Sequence, residues 1–499
     1  MLQQSADIVV IGSGVGGSSL AYSLAETGRK IVILERGDYL KDSVEARDDI
    51  AIFQRGFYRP TEEWLGTDGE SFLANNYYYV GGNSKFFGAV MYRYRKEDFK
   101  ARPHLDGNSP GWPMSYEDLE PWYARAEEVF HVRGALDQDP TEPPHGRPYA
   151  YPPVPDEPPI ASIRERLQRA GIHPASLPLA IDIEAWLGRA KTGWDAFPNT
   201  GLGKIDAEVG PLTRALKHPN VSIITGASVS RLETDHSGQK ITGAVFVKDG
   251  IEQRISADIF AVAAGAVQTA ALLLRSANKA HPAGLANGSD QLGRNFMNHN
   301  TSAMLVLDYR RNASVYQKTL AFNDFYNENN EYGAPLGGVQ LLGHITGNIL
   351  KANFPVPAPS WLINVIARHA YGWFLTSEDL PNPESRVMVK DGRIVVNWVR
   401  SNMRAHQALI KKTKEVMRKA GFPVTLTHTF GRKTTSHQCG TARLGNDPFS
   451  SVVDLNCRSH DISNLYVTDA SVLPTSAAVN PALSIAALAI KAGASIGSA

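Results

Sequence analysis

The run from Asp7 to Glu35, DIVVIGSGVGGSSLAYSLAETGRKIVILE, leaves a chain little choice of local fold. Ile8-Val9-Val10-Ile11 is a short β-branched segment of the kind found in parallel strands buried on both faces. Ser18 to Thr27 has the Ala/Leu-rich spacing of a helix, and Ile31 to Leu34 repeats the strand composition. Between the first strand and the helix stand Gly12, Gly14 and Gly17. In such a βαβ unit the first glycine permits the tight turn and the second lets the backbone approach a pyrophosphate. The third lets helix and strand pack closely, and the helix N-terminus faces the phosphate charge. Glu35, at the end of the second strand and followed by Arg36, can accept from ribose hydroxyls. Strand, glycines, helix, strand and acid in register predict a dinucleotide site, against the alternative of a merely structural βαβ unit. The fingerprint by itself does not separate NAD from FAD.

A second concentration of pattern lies at the other end, from Thr435 to Leu488: TSHQCGTARLG, then SVVDLNCRSHDISNLYVTDASVLPT, then AAVNPALSIAAL. His437 and Asn480 stand at the entrances to two Gly/Pro-marked turns, each followed by an apolar or small-residue run, and side chains there can face a cavity. A neutral imidazole, with an unperturbed pKa of ~6.5, can take a proton near neutral pH. An amide can orient a hydroxyl by donating and accepting. The plain alternatives are that His437 satisfies a buried backbone group and that Asn480 caps a helix from Pro481 to Ala492, since Asn then Pro is a natural helix start.

At 499 residues about two domains are expected. Lys+Arg 51 against Asp+Glu 50 leaves a formal charge of +1, with no broad basic field for nucleic acid and no acidic tail. Cys439 and Cys457 are the only cysteines, too few for a disulfide framework and without metal-ligand spacing to histidine, so no metal site is expected. The first strand begins at about residue 6, which leaves no room for a signal peptide, and no run of 18 uncharged apolar residues exists. A cytoplasmic enzyme without a membrane span is expected.

Residues 135–160 are Pro-rich, a connecting or lid segment or an oligomer contact. Ile160 to Ala170 reads as a helix. Ser222 to Thr234, Ile241 to Lys248 and Ile251 to Ile255 read as strands, the last two joined by a hairpin turn at Asp249-Gly250. Ile259 to Ala263 is another buried strand, and Gly265 with Ala266 opens a helix to about Ser276. Between about 300 and 436 alternation predominates, as in SAMLVLDYR and in ESRVMVKDGRIVVNWV with its turn at Asp391-Gly392, and a helix follows from about Met403 to Ala420. That suits a mainly antiparallel sheet. Tyr92-Arg93-Tyr94-Arg95 has an edge-strand pattern, and His460 sits in a surface-like turn.

The fingerprint, Val80-Gly81-Gly82-Asn83-Ser84, GWPMSYEDLEPWYARAEEVF, HPNVSIITGASVSRL, AVAAGAVQTAALLLRS, LGRNFMNH and the C-terminal block together resemble the glucose-methanol-choline (GMC) family of FAD-dependent oxidoreductases over nearly the full length. The short chain and WPMSYEDLEPWY are most similar to its bacterial pyranose oxidase and glycoside 3-oxidase branch. The resemblance implies an α/β fold, α+β overall. A discontinuous Rossmann-like FAD-binding domain would hold residues 1–100, 205–298 and 437–499. A substrate domain on a mainly antiparallel sheet would hold 101–204 and 299–436. It implies FAD contacts from Gly12, Gly14, Gly17, Glu35, Arg36, Gly81, Gly82, Asn83, Ser84, Val229, Ala264, Gly265, Asp469, Ala470, Asn480 and Pro481. His437 becomes the base that removes a hydroxyl proton and Asn480 its partner, while His299 is of structural or loop character and Asn382 and Arg386 belong to a scaffolding loop. Where some relatives link the flavin through a histidine this chain has Phe86, so FAD should be noncovalent. LGRAKTGWDAFPNTGLGK lacks the cysteine of many bacterial relatives, which excludes an iron–sulfur role there. The implied reaction is oxidation of a secondary hydroxyl of a sugar or glycoside, with a non-sugar alcohol or polyol as the alternative. Electrons would pass to dioxygen or a quinone.

Overall fold

The computed structural model describes residues 3–190, 193–201, 203–328, 330–353, 358–434 and 436–498. Thr435, which opens the C-terminal block, and residues 191, 192 and 202 of the LGRAKTGWDAFPNTGLGK segment lie outside them.

Five strands form a wholly parallel sheet in the order Val221–Ile224, Ile31–Leu34, Ile8–Ile11, Ile259–Val262, Leu465–Val467. The β-branched runs at 8–11 and 31–34 are buried at every position, as strands covered on both faces must be. The helix between them is Val15–Leu24, three residues earlier than its Ala/Leu spacing suggests, and a 3₁₀ turn at Ala25–Thr27 follows it. The early start overrides poor propensity because Gly16 and Gly17 are needed for close approach. A Cβ on Gly16 would sit 1.8 Å from the Thr468 carbonyl oxygen, and one on Gly17 2.0 Å from that of Gly12. The run read as one strand from Ser222 to Thr234 is two, Val221–Ile224 and Ser228–Thr234, parted at Gly226 and placed in different sheets. The second joins a four-stranded sheet whose hairpin turns at Asp249-Gly250, both with positive φ as a tight turn of this kind requires.

Six strands make the large second sheet, in the order Val424–Thr429, Asn300–Leu307, Ala370–Ser377, Gly338–Leu341, Leu320–Phe322, Ala175–Ser176, with every pairing antiparallel. Its register gives two unlike faces. Met304, Trp373 and Leu341 are paired across adjacent strands and pack into one core with Leu409 and Met417 of helix Met403–Lys419. Ala303, Phe374 and Gln340, one residue along in each strand, therefore face the other way. The hairpin at Asp391-Gly392 forms as expected but in a different, four-stranded sheet with Glu63–Gly66 and Ser71–Leu73.

The C-terminal helix Ala482–Gly497 lies against the first helix. A Cβ on Gly493 would meet that of Ser23 at 2.6 Å, and Ser23 Oγ donates to the Ile490 carbonyl at 2.9 Å. The turn holding Asn480 and Pro481 is thereby anchored to the fingerprint unit.

Candidate active site

Among the described residues, one cavity of ≈ 460 Å³ is lined by the fingerprint glycines Gly12 and Gly14, the strand end Glu35 and Arg36, and His437 and Pro481 of the C-terminal block. Gly12 has φ +100° and makes the turn, and any Cβ there would fall 2.4 Å from the Ala263 carbonyl oxygen. Gly14 and Gly265 are different: a Cβ on either meets no atom within 4 Å, so both leave backbone bare toward open space. Each precedes a helix, Val15–Leu24 and Ala266–Arg275, that has neither a side-chain cap nor an acidic residue in its first turn. Two uncapped helix N-termini bordering one cavity offer N–H groups and partial positive charge to an anion.

Glu35 is buried, which pushes its pKa up, yet hydrogen-bond donors from Gly37, Ser13 and Arg36 oppose that shift. Ser13 N–H and Oγ–H reach Oε2 at 2.8 and 2.6 Å, and Gly37 N–H reaches Oε1 at 2.9 Å. The same Ser13 hydroxyl accepts from Gly81 N–H at 3.1 Å, tying the paired-glycine loop to the fingerprint. Gly81 has φ +94°, and a Cβ on Gly82 would stand 3.2 Å from the Gly14 Cα. Asp469 is buried at the end of the last parallel strand, and burial raises its pKa as well. It accepts from Gly265 N–H at 2.8 Å, Thr269 Oγ1 at 2.5 Å and Ser471 N–H at 2.8 Å, so it fixes the start of the second helix. These features suit FAD: bare glycine backbone for a pyrophosphate, Glu35 for a ribose, and a floor from Val229 through Ala264 and Gly265 to Ala470.

In the C-terminal block, the His437 backbone N–H donates to Asn298 Oδ1 at 3.1 Å, and its Nδ1 lies 2.9 Å from Nδ1 of His299. Burial holds the His437 pKa well below the usual histidine value, helped by His299 and by the Lys318 charge, so the imidazole is neutral at pH 7. Its ring meets that of Phe374 edge-on at 6.4 Å between centroids. Gln340, directly opposite Phe374 in the large sheet, donates from Nε2 to Asn480 Oδ1 at 2.9 Å. That face of the sheet thus meets both His437 and Asn480. Asn480 caps nothing: the helix cap is Pro481, with no side-chain hydrogen bond.

Of the residues expected at the cofactor, Arg36, Gly82, Asn83, Ser84, Val229, Ala264, Gly265, Asp469 and Ala470 also line the cavity, whereas Gly17, Gly81 and Asn480 do not. Gly17 serves packing and Gly81 the loop. Arg93 and Arg95 are not on an edge strand. Both are fully buried, Arg93 forked onto Glu127 at 2.7 Å through two nitrogens and Arg95 bound to Asp139 at 2.6 Å, so neither is available to a ligand. His460 is half-buried, bonded to Ser451 at 2.9 Å. Arg386 is paired with Asp290. Sequence reasoning missed Ser13, Gln340 and a group at the Arg36 side of the cavity. There Arg36 lies 4.0 Å from the centre of the Tyr78 ring, and Glu62 accepts from Arg36, from the Tyr78 hydroxyl and from Gln268 at 2.6 Å. Positions 36, 62, 78 and 268 carry no shared pattern that would have joined them.

Comparison with known proteins bears on the same segments. Models of the GMC oxidoreductase family match residues 182–301 and 381–489, and a NAD(P)-binding Rossmann-like model matches 10–48. The 6'''-hydroxyparomomycin C oxidase of Streptomyces lividus is 28% identical, the match covering 99% of this chain and 91% of that protein. The 2-methyl-1,2-propanediol dehydrogenase of Mycolicibacterium austroafricanum is also 28% identical, covering 98% and 94%. Among solved structures, pyridoxine 4-oxidase from Mesorbium loti aligns with a TM-score of 0.66 at 21% identity, over 98% of this chain and 99% of that one.

Proposed function

We propose a function from one premise: the chain belongs to the GMC oxidoreductase family, and is an FAD-dependent flavoenzyme acting on CH–OH donors. The substrate we assign is a sugar or glycoside, oxidised at a secondary hydroxyl to a ketone. Its cofactor-binding half comprises residues 1–100, 205–298 and 437–499 and its substrate half 101–204 and 299–436. FAD, when bound, supplies the acceptor for the hydride that leaves the carbinol carbon.

His437 takes the hydroxyl proton, a role open to it because its imidazole is neutral. Asn480 holds the same oxygen. Its Oδ1 is engaged by Gln340, which leaves the amide N–H groups to donate toward an oxygen that gains negative charge as its proton departs. The cofactor is held without a covalent bond, for Phe86 stacks on Tyr77 with ring centroids 3.8 Å apart and presents no nucleophile. The single observation that carries this reading is that His437 and Pro481 border the same cavity as Gly14 and Glu35.

A non-sugar alcohol or polyol is the second reading, favoured by the diol dehydrogenase relative. Anaerobic bleaching of the flavin by a panel of glycosides, polyols and simple alcohols separates the two. Bleaching by glycosides alone supports the first, and bleaching only by simple alcohols or diols replaces it. Admission of air then tells whether dioxygen accepts the electrons.

A further inference from the structure

The pair formed by His299 and His437 fixes which nitrogen of each ring carries a hydrogen. His299 is fully enclosed and neutral, burial lowering its pKa to about 4. Its Nε2 lies 2.8 Å from the Ser476 carbonyl oxygen, and a carbonyl can only accept, so this nitrogen bears the hydrogen. A neutral imidazole has one N–H, so His299 Nδ1 is a bare lone pair. That lone pair faces His437 Nδ1 at 2.9 Å, and two bare nitrogens would repel at this distance. His437 Nδ1 must therefore carry its hydrogen, which leaves Nε2 as the free acceptor. The neighbouring residue grips the same histidine by its backbone: Asn298 Oδ1 accepts His437 N–H, while Asn298 N–H donates to Asp379 Oδ2 at 3.1 Å.

We propose that His299 is a positioning residue that locks His437 in the Nδ1–H tautomer through the chain Ser476 carbonyl, His299 Nε2–H, His299 Nδ1, His437 Nδ1–H, so that Nε2 of His437 is the atom that receives the substrate proton. The inference rests on the reading of His437 as base. When Nε2 takes a proton, the Nδ1–H bond to His299 stays in place and strengthens, because its donor now bears charge. No ring has to turn.

Nitrogen-resolved NMR of the FAD-loaded protein with ¹⁵N-labelled histidine reads the tautomer with no substrate present, the His437 signals being identified by their loss in His437→Gln. At pH 7.5 His437 should show a protonated Nδ1 and an unprotonated Nε2. Asparagine places an amide oxygen near the position of Nδ1, so His299→Asn should keep that pattern. Glutamine reaches toward the Ser476 carbonyl but offers no acceptor at Nδ1, so His299→Gln should lose it to a tautomer mixture, as should His299→Phe. A wild-type His437 protonated at Nε2 would overturn the proposal, and so would an unchanged tautomer in His299→Gln. If His299→Phe does not fold, the Asn and Gln variants decide alone. An error about the base itself shows elsewhere, as wild-type flavin reduction in His437→Ala, and leaves the tautomer result standing.

Discussion

The parallel sheet at the cavity and the antiparallel sheet that braces His437 and Asn480 work by opposite means. On the parallel-sheet side the chain contributes mainly what it lacks: Gly14 and Gly265 expose bare backbone, two helices begin uncapped, and the carboxylates Glu35 and Asp469 are largely occupied in holding that backbone still. On the antiparallel side the backbone is satisfied within the sheet, and the working parts are side chains, Gln340 and Phe374 reaching Asn480 and His437 from one face. A site made from backbone is damaged by adding atoms, and a site made from side chains by removing them.

The largest effect is expected where a side chain is taken away. His437→Ala should slow flavin reduction by about 10²- to 10⁴-fold, the usual worth of a positioned base, while FAD content and melting temperature stay near wild type. Stopped-flow reduction checks this, and an unchanged rate would show that His437 is not the base. Next comes Glu35→Ala, which should weaken FAD binding by about 1.5–3 kcal/mol through loss of a charged acceptor, measured by titrating FAD into apoprotein. Gly14→Ala should weaken FAD by roughly tenfold, or ~1.4 kcal/mol, yet leave the apoprotein as stable as before, because φ there is −66° and nothing stands in the way of a methyl group. Gly12→Ala, forced against the Ala263 carbonyl, should lower apoprotein stability instead. Equal melting temperatures for these two variants would blur the contrast between a bare surface and a packed turn.

This asymmetry also accounts for what the sequence let one read. The parallel half writes its purpose into local order, since strand, glycines, helix, strand and Glu35 are contiguous and each glycine answers to a close approach. Even there the helix start was misjudged, because Gly16 and Gly17 look like helix breakers until the Thr468 and Gly12 carbonyls are seen against them. His437 and Asn480 stood out by their turns. Their supports did not: Gln340 is one polar residue in an otherwise ordinary strand, and its partner lies 140 positions away. Tyr92 to Arg95 alternate as a strand would, but Glu127 and Asp139, which take the two guanidinium groups, come from distant segments and decide the outcome. Long-range pairing of polar groups leaves no periodicity.

A further effect is on stability against acid. His437, His299 and, in the core of the antiparallel half, His406 all have pKa values depressed by burial, the last two to about 4 and about 3. Once unfolded they titrate near 6.5, so below that pH the unfolded chain binds more protons than the native one. Their contribution is complete above pH 6.5 and is lost as pH falls toward the folded values, by at most about 1.4 kcal/mol per pH unit for each group. The melting temperature should therefore decline from pH 6.5 to 4, and less steeply in His406→Gln, whose side chain can still reach Ser302 or Ser377.

Asn480 stands where the two halves meet, one residue before the cavity-lining Pro481 and held by the amide of Gln340. The most direct test of side-chain chemistry at the site is therefore the anaerobic flavin reduction rate of Asn480→Asp, read together with its melting temperature. Aspartate is nearly isosteric, but it would lose the amide donor and set a negative charge beside an oxygen that is itself becoming negative. Reduction should slow by about 10²- to 10³-fold, the cost of losing one such donor, with FAD bound and the melting temperature kept. Reduction at close to the wild-type rate would contradict the account and take Asn480 out of the chemistry.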